Sequence, residues 1–449
     1  MTGFLDVLRG AVTDVSTAPA DLATAAIDRS GARPDGLPLA VVRAVDVADV
    51  QATLRLAGEH GVPVVPRGAG TGLAGGALAG RGAVVLDVSG LDRIVEIDPD
   101  DELAVVEAGV VTAELDRAAQ KSGLRYAPDP ASAELSTIGG NIATNAGGMR
   151  CVKYGVTREA VLGLDVVLAD GRLLHTGRRT VKGVAGLDLT ALFVGSEGTL
   201  GVVVGATLRL RPRPERTLTA AAAYDSVEAA AQACSELIRQ RREPSLLELL
   251  DGATLAVIDR AQGSDFAARG QALVIAQADG PAADGEIAAI ADVLGREATW
   301  SERGVDPESS ERLLFARRMA LPSIERFGRA LIEDICVPRS RLAAAFRGVE
   351  RIARQYDVAI YAFAHAGDGN LHPIVAYDGP ELPDAVRRAG DDLFALALDL
   401  GGTVTGEHGI GLLKRDWLAR ETGPDVTAVY GSIKAALDPH GILNPGKGF

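Results

Sequence analysis

The sequence predicts an α+β protein of two or three domains, and three observations carry that expectation. The chain has 449 residues, too many for one hydrophobic core, and 47% of them are apolar, enough to fill more than one. Helical periodicity alternates with short β-rich runs along its length. Three glycine-rich loops, each beside an expected strand, fall between Pro66 and Val203, and the proline-bearing stretch "RLRPRPE", 209–215, separates them from a second α+β region.

The elements follow in chain order. "MTGFLDVLRGAVTD" alternates apolar with charged residues and reads as a short amphipathic helix within an N-terminal helical segment, 1–35; it lacks the apolar run of a signal peptide or a membrane span. "DVADVQATLRLAGEHG" starts a helix on Asp46 and stops it at Gly61, leading into the strand "VPVVP". The loop that follows, "PRGAGTGLAGGA", satisfies G-x-G-x-x-G through Gly70, Gly72 and Gly75. A nicotinamide-binding unit would need a helix of ten or more residues next, to cross over to a parallel strand. The strand "AVVLDVS" begins at Ala83, only eight residues after Gly75, so no such helix fits and the match reflects glycine density alone. What remains is either a flexible surface loop or a run of backbone N–H groups curled into a phosphate-binding nest.

Two further stretches favour the nest. "STIGGNIATNAGGMRCVKYG", 136–155, joins glycines to hydroxyl and amide side chains that can donate to phosphate oxygens, and "VGSEGTLGVV", 194–203, is a tight turn entering a strand. Beyond the proline break, "DSVEAAAQACSELIRQRRE" has Asp225 and Glu228 in capping-box register at the head of an amphipathic helix. In "VAIYAFAHAGDGNLHPIVAY" two β-rich runs flank Asp368-Gly369, a two-residue turn signal. A turn centred there sets His365 directly opposite His372, so the pair is either structural or a grip for one divalent metal. "TVTGEHGIG" offers Glu407 as a third ligand, giving a two-histidine, one-carboxylate set with open positions. Its neighbour His408 points the other way in extended chain and is free to face a substrate. Asn370 either orients the substrate or hairpin, or stabilises its own turn. His440 and His175 have no motif partner.

Charge and cysteine content exclude other classes. A formal net charge of −14 gives no long-range attraction for nucleic acid or anionic lipid. Cys151, Cys234 and Cys336 are widely spaced, which argues for a reducing compartment and against a disulfide framework, a thiolate zinc site or an iron–sulfur cluster. A cytoplasmic location is the expectation.

From about Pro38 onward, "PRGAGTGLAGG", "STIGGNIATNAGG", "GSEGTLGVV", "HAGDGNLHP", "GEHGIG" and "LDPHGILNPGK", in that order, resemble the FAD-dependent vanillyl-alcohol-oxidase superfamily. The similar branch contains D-lactate dehydrogenases, the FAD-carrying subunit of glycolate oxidase and D-2-hydroxyglutarate dehydrogenase. The resemblance implies a two-subdomain FAD-binding domain over 36–214, an α+β substrate- and metal-binding domain over 215–405, and a C-terminal segment, 406–449, that returns to the flavin. It implies that FAD is held by Pro66, Arg67, Gly68, Ala69, Gly70, Thr71, Gly72 and Leu73, by Ser136, Thr137, Gly139, Gly140, Asn141, Thr144, Asn145, Gly147 and Gly148, and by Glu197, Gly198 and Asn444. Some relatives tether the flavin to a histidine in the first loop; none lies between Pro63 and Gly80 here, so FAD is expected to be non-covalent.

The same resemblance assigns His365, His372 and Glu407 to a divalent metal, Zn or Mn, His408 to the base, and Arg317 in "LLFARRMALPSI" to the substrate carboxylate, with Asn370 at the substrate. It implies oxidation of a small D-2-hydroxy acid to the 2-keto acid, with metal-assisted activation of the hydroxyl and hydride transfer to flavin N5. The D-2-hydroxyglutarate enzymes carry a lysine where "LIEDICVP" has Ile332, which favours a monocarboxylate such as D-lactate or glycolate over a dicarboxylate. Electrons must leave to an acceptor protein or quinone, for which an iron–sulfur partner subunit qualifies, with peripheral membrane association through such a partner; a homodimer stays open. The rival readings are a dicarboxylate dehydrogenase, a non-catalytic flavin-binding electron carrier, and a metal-dependent hydrolase.

Overall fold

The computed structural model describes residues 2–449 and is mixed α/β, with two compact units. One comprises the chain up to Gly147, Gly155–Arg213 and Glu407–Phe449; the other comprises Gly148–Tyr154 and Pro214–Gly406. The chain therefore crosses between units at Gly147–Gly148 and back at Tyr154–Gly155, then at Arg213–Pro214 and back at Gly406–Glu407.

The first unit holds two larger sheets. In one, Val15–Ser16, Ala40–Arg43, Val84–Asp87 and Val64–Arg67 lie in that order, the first pair antiparallel and the others parallel. The N-terminal segment is thus not purely helical: between the helices Thr2–Ala11 and Pro19–Ala25 it contributes an edge strand, because Val15 and Ser16 find open ladder partners in Val42 and Val41. Helix Val47–His60 is capped by Asp46, whose side chain accepts from the Asp49 N–H, and ends on Gly61 in the left-handed region. Its buried Val50, Leu54 and Ala57 join Phe4 and Leu8 in the core.

The parallel strands Val64–Arg67 and Val84–Asp87 are joined by residues 68–83 with no helix between them, so a glycine-rich loop makes the crossover. The second sheet runs Ile94–Asp98, Leu103–Glu107, Val202–Arg209, Val161–Val167, Leu173–Gly177, all antiparallel. In "STIGGNIATNAGG" the backbone forms a short helix, Ile138–Thr144, because Thr137 caps it by accepting from the Gly140 N–H.

The C-terminal segment closes this unit. After helix Arg415–Leu437, which breaks at Gly423-Pro424, Leu443 bridges Val64 in parallel and the Asn444 N–H donates to the Val64 carbonyl at 2.8 Å. Lys447 is buried, donating from Nζ to the Leu78 carbonyl and to Asn444 Oδ1.

The second unit is built on one antiparallel sheet. Its order is Trp300–Arg303, Thr217–Tyr224, Ala272–Asp279, Leu246–Asp251, Ala359–His365, Asn370–Tyr377, Arg329–Ile332, with Ile335–Cys336 also pairing with Asn370–Tyr377. Helices cover both faces, so its central strands are buried on both sides and almost wholly apolar. Helix Val227–Arg239 starts one residue later than the capping-box reading: Ser226, not Asp225, is the cap, and its hydroxyl accepts from the Ala229 N–H at 3.2 Å. The strand runs on to Tyr224, paired with Ala272, so Asp225 is spent on the turn and Ser226 takes the extended capping conformation. Among the described residues no helix is long and apolar enough to cross a membrane.

Burial pushes the Lys447 ammonium down to about 8 from 10.5. The unfolded chain then binds more protons than the folded one between those values, so the cost of burying the charge is complete below about 8 and disappears as pH rises through 10.5. Relative to Lys447→Met, the native chain is expected to gain up to about 3 kcal/mol of stability between about pH 7 and pH 10.5. Urea unfolding of both proteins at the two pH values measures the gain, and a constant difference would contradict it.

Candidate functional site

In the first unit the glycine-rich loops meet as a backbone cradle. Gly68 lies so close to Thr137 that a Cβ there would sit 2.4 Å from the Thr137 hydroxyl oxygen, so only glycine lets the first loop touch the head of helix Ile138–Thr144. Among the described residues, none of the backbone N–H groups from Gly68 to Leu73 donates to another group of the protein. Half-buried N–H groups without protein acceptors call for an external one, and a run of them suits the diphosphate of a dinucleotide. The Arg67 guanidinium packs against Gly70 of the loop and donates from one nitrogen to the Ala25 and Ile27 carbonyls. Pro66, Ala69, Gly70, Thr71 and Gly72 complete the loop; Ser136, Gly139, Asn141, Thr144, Asn145 and Gly147 lie in or beside the short helix, and Gly148 begins the excursion into the second unit.

Glu197 and Asn444 act on protein groups. The buried Glu197 carboxylate accepts from the Ile410 and Gly411 N–H groups, both at 2.7 Å, although burial raises its pKa. The Asn444 amide donates to the Gly76 and Glu197 carbonyls. Both side chains, expected at the cofactor, hold "GEHGIG" and the glycine loop in place. Gly198, at φ 70°, packs on the Pro66 ring.

The second unit carries the histidine hairpin, and its register corrects the sequence reading. His365 pairs with Asn370 and His372 with Phe363, so the histidines are diagonal, not directly opposite. The Asp368 and Gly369 N–H groups both turn back to the His365 carbonyl at 3.0 Å, and only Gly369 takes positive φ, whereas a two-residue turn centred on Asp368-Gly369 would require it of Asp368. The diagonal still keeps the two imidazoles on one face, with ring centroids 5.0 Å apart and edge to face, each about 4% exposed. Asn370 opens a strand and is not a turn residue. Its buried Oδ1 has no hydrogen-bond partner among the described residues, and its amide lies against Gly406, where a Cβ would meet it at 2.4 Å.

Across the neighbouring strand His365 faces Glu248, so Glu248, His365 and Asn370 form a polar row across three strands of one face. Glu248 is fully buried. Its Oε1 lies 2.7 Å from His365 Nδ1, and its Oε2 accepts from Arg317 Nε. Burial alone would push this carboxyl up, but electrostatic attraction to His365 and Arg317 and the hydrogen bonds from both hold it below the usual carboxylate range. Arg317 comes from helix Pro307–Glu325, whose Leu313, Ala316 and Ala320 pack on the same face, and its guanidinium stacks 4.4 Å from the centroid of Phe363.

Two of these carboxylates escaped the sequence reading. Glu248 interrupts "LLELLD", and an acid inside a doubly buried apolar strand was the available signal. Asp334, fully buried, accepts from the Thr405 hydroxyl at 2.6 Å and the Gly406 N–H at 2.9 Å, fixing the chain just before Glu407. Glu407 and His408 follow as the first residues of the returning segment, half-buried, with Glu407 Oε1 3.9 Å from His408 Nε2. Ile332 pairs with Ile374 and packs against the core. His175 is exposed beside Asp165, and His440 is exposed.

Residues 38–177 match the description "FAD binding domain" and residues 213–448 match "FAD linked oxidases, C-terminal domain". The chain belongs to the FAD-linked oxidases. This FAD-linked oxidase is 41% identical to the glycolate oxidase subunit GlcD of Bacillus subtilis over 92% of its own length and 89% of the relative's. It is 37% identical to a D-lactate dehydrogenase of Archaeoglobus fulgidus over 91% and 90%. In fold it is similar to p-cresol methylhydroxylase, with a TM-score of 0.80, 18% identity, and 99% and 96% of the two chains covered. The oxidase is therefore a flavoprotein with the vanillyl-alcohol-oxidase type of fold.

Gly68→Ala in this FAD-linked oxidase is expected to push the two loops apart and weaken FAD retention at least about tenfold, or roughly 1.4 kcal/mol. Fluorescence of FAD released on serial dilution checks it; unchanged retention would mean that the cradle does not hold the cofactor.

Proposed function

We propose that this FAD-linked oxidase oxidises a small D-2-hydroxy acid, D-lactate or glycolate, to the corresponding 2-keto acid. The observation that carries the reading is the identity of 41% and 37%, along nine-tenths of both chains, to relatives named for glycolate and D-lactate. The buried imidazole pair beside a guanidinium supports it, because a 2-hydroxy acid offers an oxygen pair for a metal and a carboxylate for an arginine.

FAD, bound without a covalent link, supplies the two-electron acceptor when loaded in the cradle. His365, His372 and Glu407 would hold a divalent metal, Zn or Mn, which supplies Lewis-acid polarisation of the substrate hydroxyl. Arg317 binds the substrate carboxylate: Glu248 takes only its Nε, and among the described residues its terminal nitrogens have no hydrogen-bond partner. Asn370 offers a buried Oδ1 to the substrate, and His408 takes the hydroxyl proton on its imidazole. Ile332 puts a hydrocarbon where a dicarboxylate would need a cation, so a monocarboxylate is favoured.

The relatives' designation as a subunit supports an electron-accepting partner, whether an acceptor protein, a quinone or an iron–sulfur subunit. A non-catalytic electron carrier would bind FAD that no 2-hydroxy acid reduces.

Anaerobic addition of D-lactate or glycolate is expected to bleach the flavin absorbance, and prior metal stripping is expected to abolish the bleaching while FAD stays bound. Full reduction by demonstrably metal-free protein would refute the metal's role; no reduction by either acid in metal-replete protein would refute the substrate class. His408→Ala should slow flavin reduction by about a hundred- to ten-thousand-fold with little change in saturation. Arg317→Ala should chiefly raise the acid concentration needed for half-saturation, by about tenfold or more. Stopped-flow reduction across acid concentrations separates the two; a wild-type limiting rate in His408→Ala would remove it as the base.

A further inference from the structure

We propose that Glu248 is the positioning residue of this site, with one carboxylate oxygen orienting His365 as a metal ligand and the other orienting Arg317 toward the substrate carboxylate. The inference rests on the hydroxy-acid reading above and adds a residue that contacts neither substrate nor metal.

The geometry sets the two tasks apart. Oε1 meets His365 Nδ1 at 2.7 Å, and Oε2 takes Arg317 Nε. An ionised carboxylate can only accept, so His365 must carry its proton on Nδ1 and present the Nε2 lone pair to a metal. A carboxylate behind a ligating histidine fixes tautomer and ring orientation and makes the other nitrogen a better donor. On the arginine, capture of Nε leaves the two terminal nitrogens as the paired donors that grip a carboxylate, while Phe363 holds one face of the guanidinium plane.

Position on the sheet explains why a single side chain serves both. Glu248 sits directly opposite His365 in the ladder, so the histidine contact follows from strand register. Helix Pro307–Glu325 lies over the same face and delivers Arg317 from above. A structural ion pair in this core would need only one partner and no imidazole; the division of one carboxylate between two residues of different elements is what the positioning role requires.

The test uses full-length, FAD-loaded Glu248→Gln and Glu248→Asp. In Glu248→Gln the single amide oxygen can accept from only one of His365 and Arg317, the other meets an N–H, and the negative charge behind the imidazole is lost. Metal-stripped protein titrated with Mn²⁺ should show about 10–100-fold weaker binding than the native chain. The half-saturating concentration of D-lactate or glycolate should rise, and excess Mn²⁺ should restore the limiting rate but not that concentration, because the ion cannot reorient Arg317. Glu248→Asp, which keeps the charge on a shorter stem, should recover part of the Mn²⁺ affinity. Glu248→Gln with native Mn²⁺ affinity and native half-saturation would overturn the proposal.

A measurement on the native chain covers the case in which neither variant folds. In ¹⁵N-histidine spectra of metal-stripped protein, His365, assigned by its loss in His365→Gln, should be protonated on Nδ1 with a downfield-shifted proton; an Nε2-protonated ring would overturn the proposal. If the native chain binds no Mn²⁺ and neither acid reduces its flavin, the functional reading fails. The histidine spectrum then shows whether the Glu248 contact exists without it.

Discussion

The arrangement in the second unit depends on one buried negative charge, the Glu248 carboxylate. A carboxylate taken out of water costs several kcal/mol even after relaxation, and an apolar strand covered by helices on both faces offers nothing to offset it. The offset comes from Arg317 and His365, and it is large enough to leave the group ionised in the folded protein. Removing any one of the three strands the others, so the helix that carries Arg317 and the hairpin that carries His365 are locked to the same strand. The requirement also places three polar residues in register across neighbouring strands, Glu248, His365 and Asn370.

The same device recurs at either end of the "GEHGIG" segment. Asp334 accepts from Thr405 and Gly406 inside the second unit; Glu197 accepts from Ile410 and Gly411 inside the first. Backbone N–H groups in irregular chain lack the ladder partners that a strand or helix provides, and a buried carboxylate satisfies two donors at once, two N–H groups at Glu197 and one N–H with one hydroxyl at Asp334. Glu407 and His408 are thus the short span between two tethered stretches. A glycine-rich segment, which by composition would be loose, gains a defined course. The cost is three buried acids that must stay paired, a cost carried only where a site needs its groups held in place.

In the glycine-rich loops of the first unit the logic is reversed. The first loop leaves its N–H groups without protein acceptors, and the side chains expected at the cofactor, Arg67, Glu197 and Asn444, turn to carbonyls and N–H groups of the protein itself. Backbone lines the cradle, and side chains brace it from behind. Glycine is required where the loops touch, at Gly68 against Thr137, because the contact is closer than a Cβ allows.

What the sequence determined by itself was whatever is encoded by neighbours in the chain. Glycine runs, the Asp46 and Gly61 caps, the absence of a crossover helix before Ala83 and the order of six motifs are local patterns, and they identified the flavin-binding fold and one face of the hairpin. Two local readings were off by a small slip: Ser226 displaced Asp225 as a cap because the preceding strand ran to Tyr224, and the hairpin register moved by two residues because Asp368, the first turn residue, does not take the positive φ that either two-residue turn needs there. Only the tertiary structure decided that Glu248 stands across from His365, that its other oxygen takes Arg317 from a helix some seventy residues away, and that Asp334 anchors Gly406 from a similar distance. Those pairings leave no periodic mark, since a buried charge is stabilised by partners the fold brings to it and not by the residues beside it in the chain.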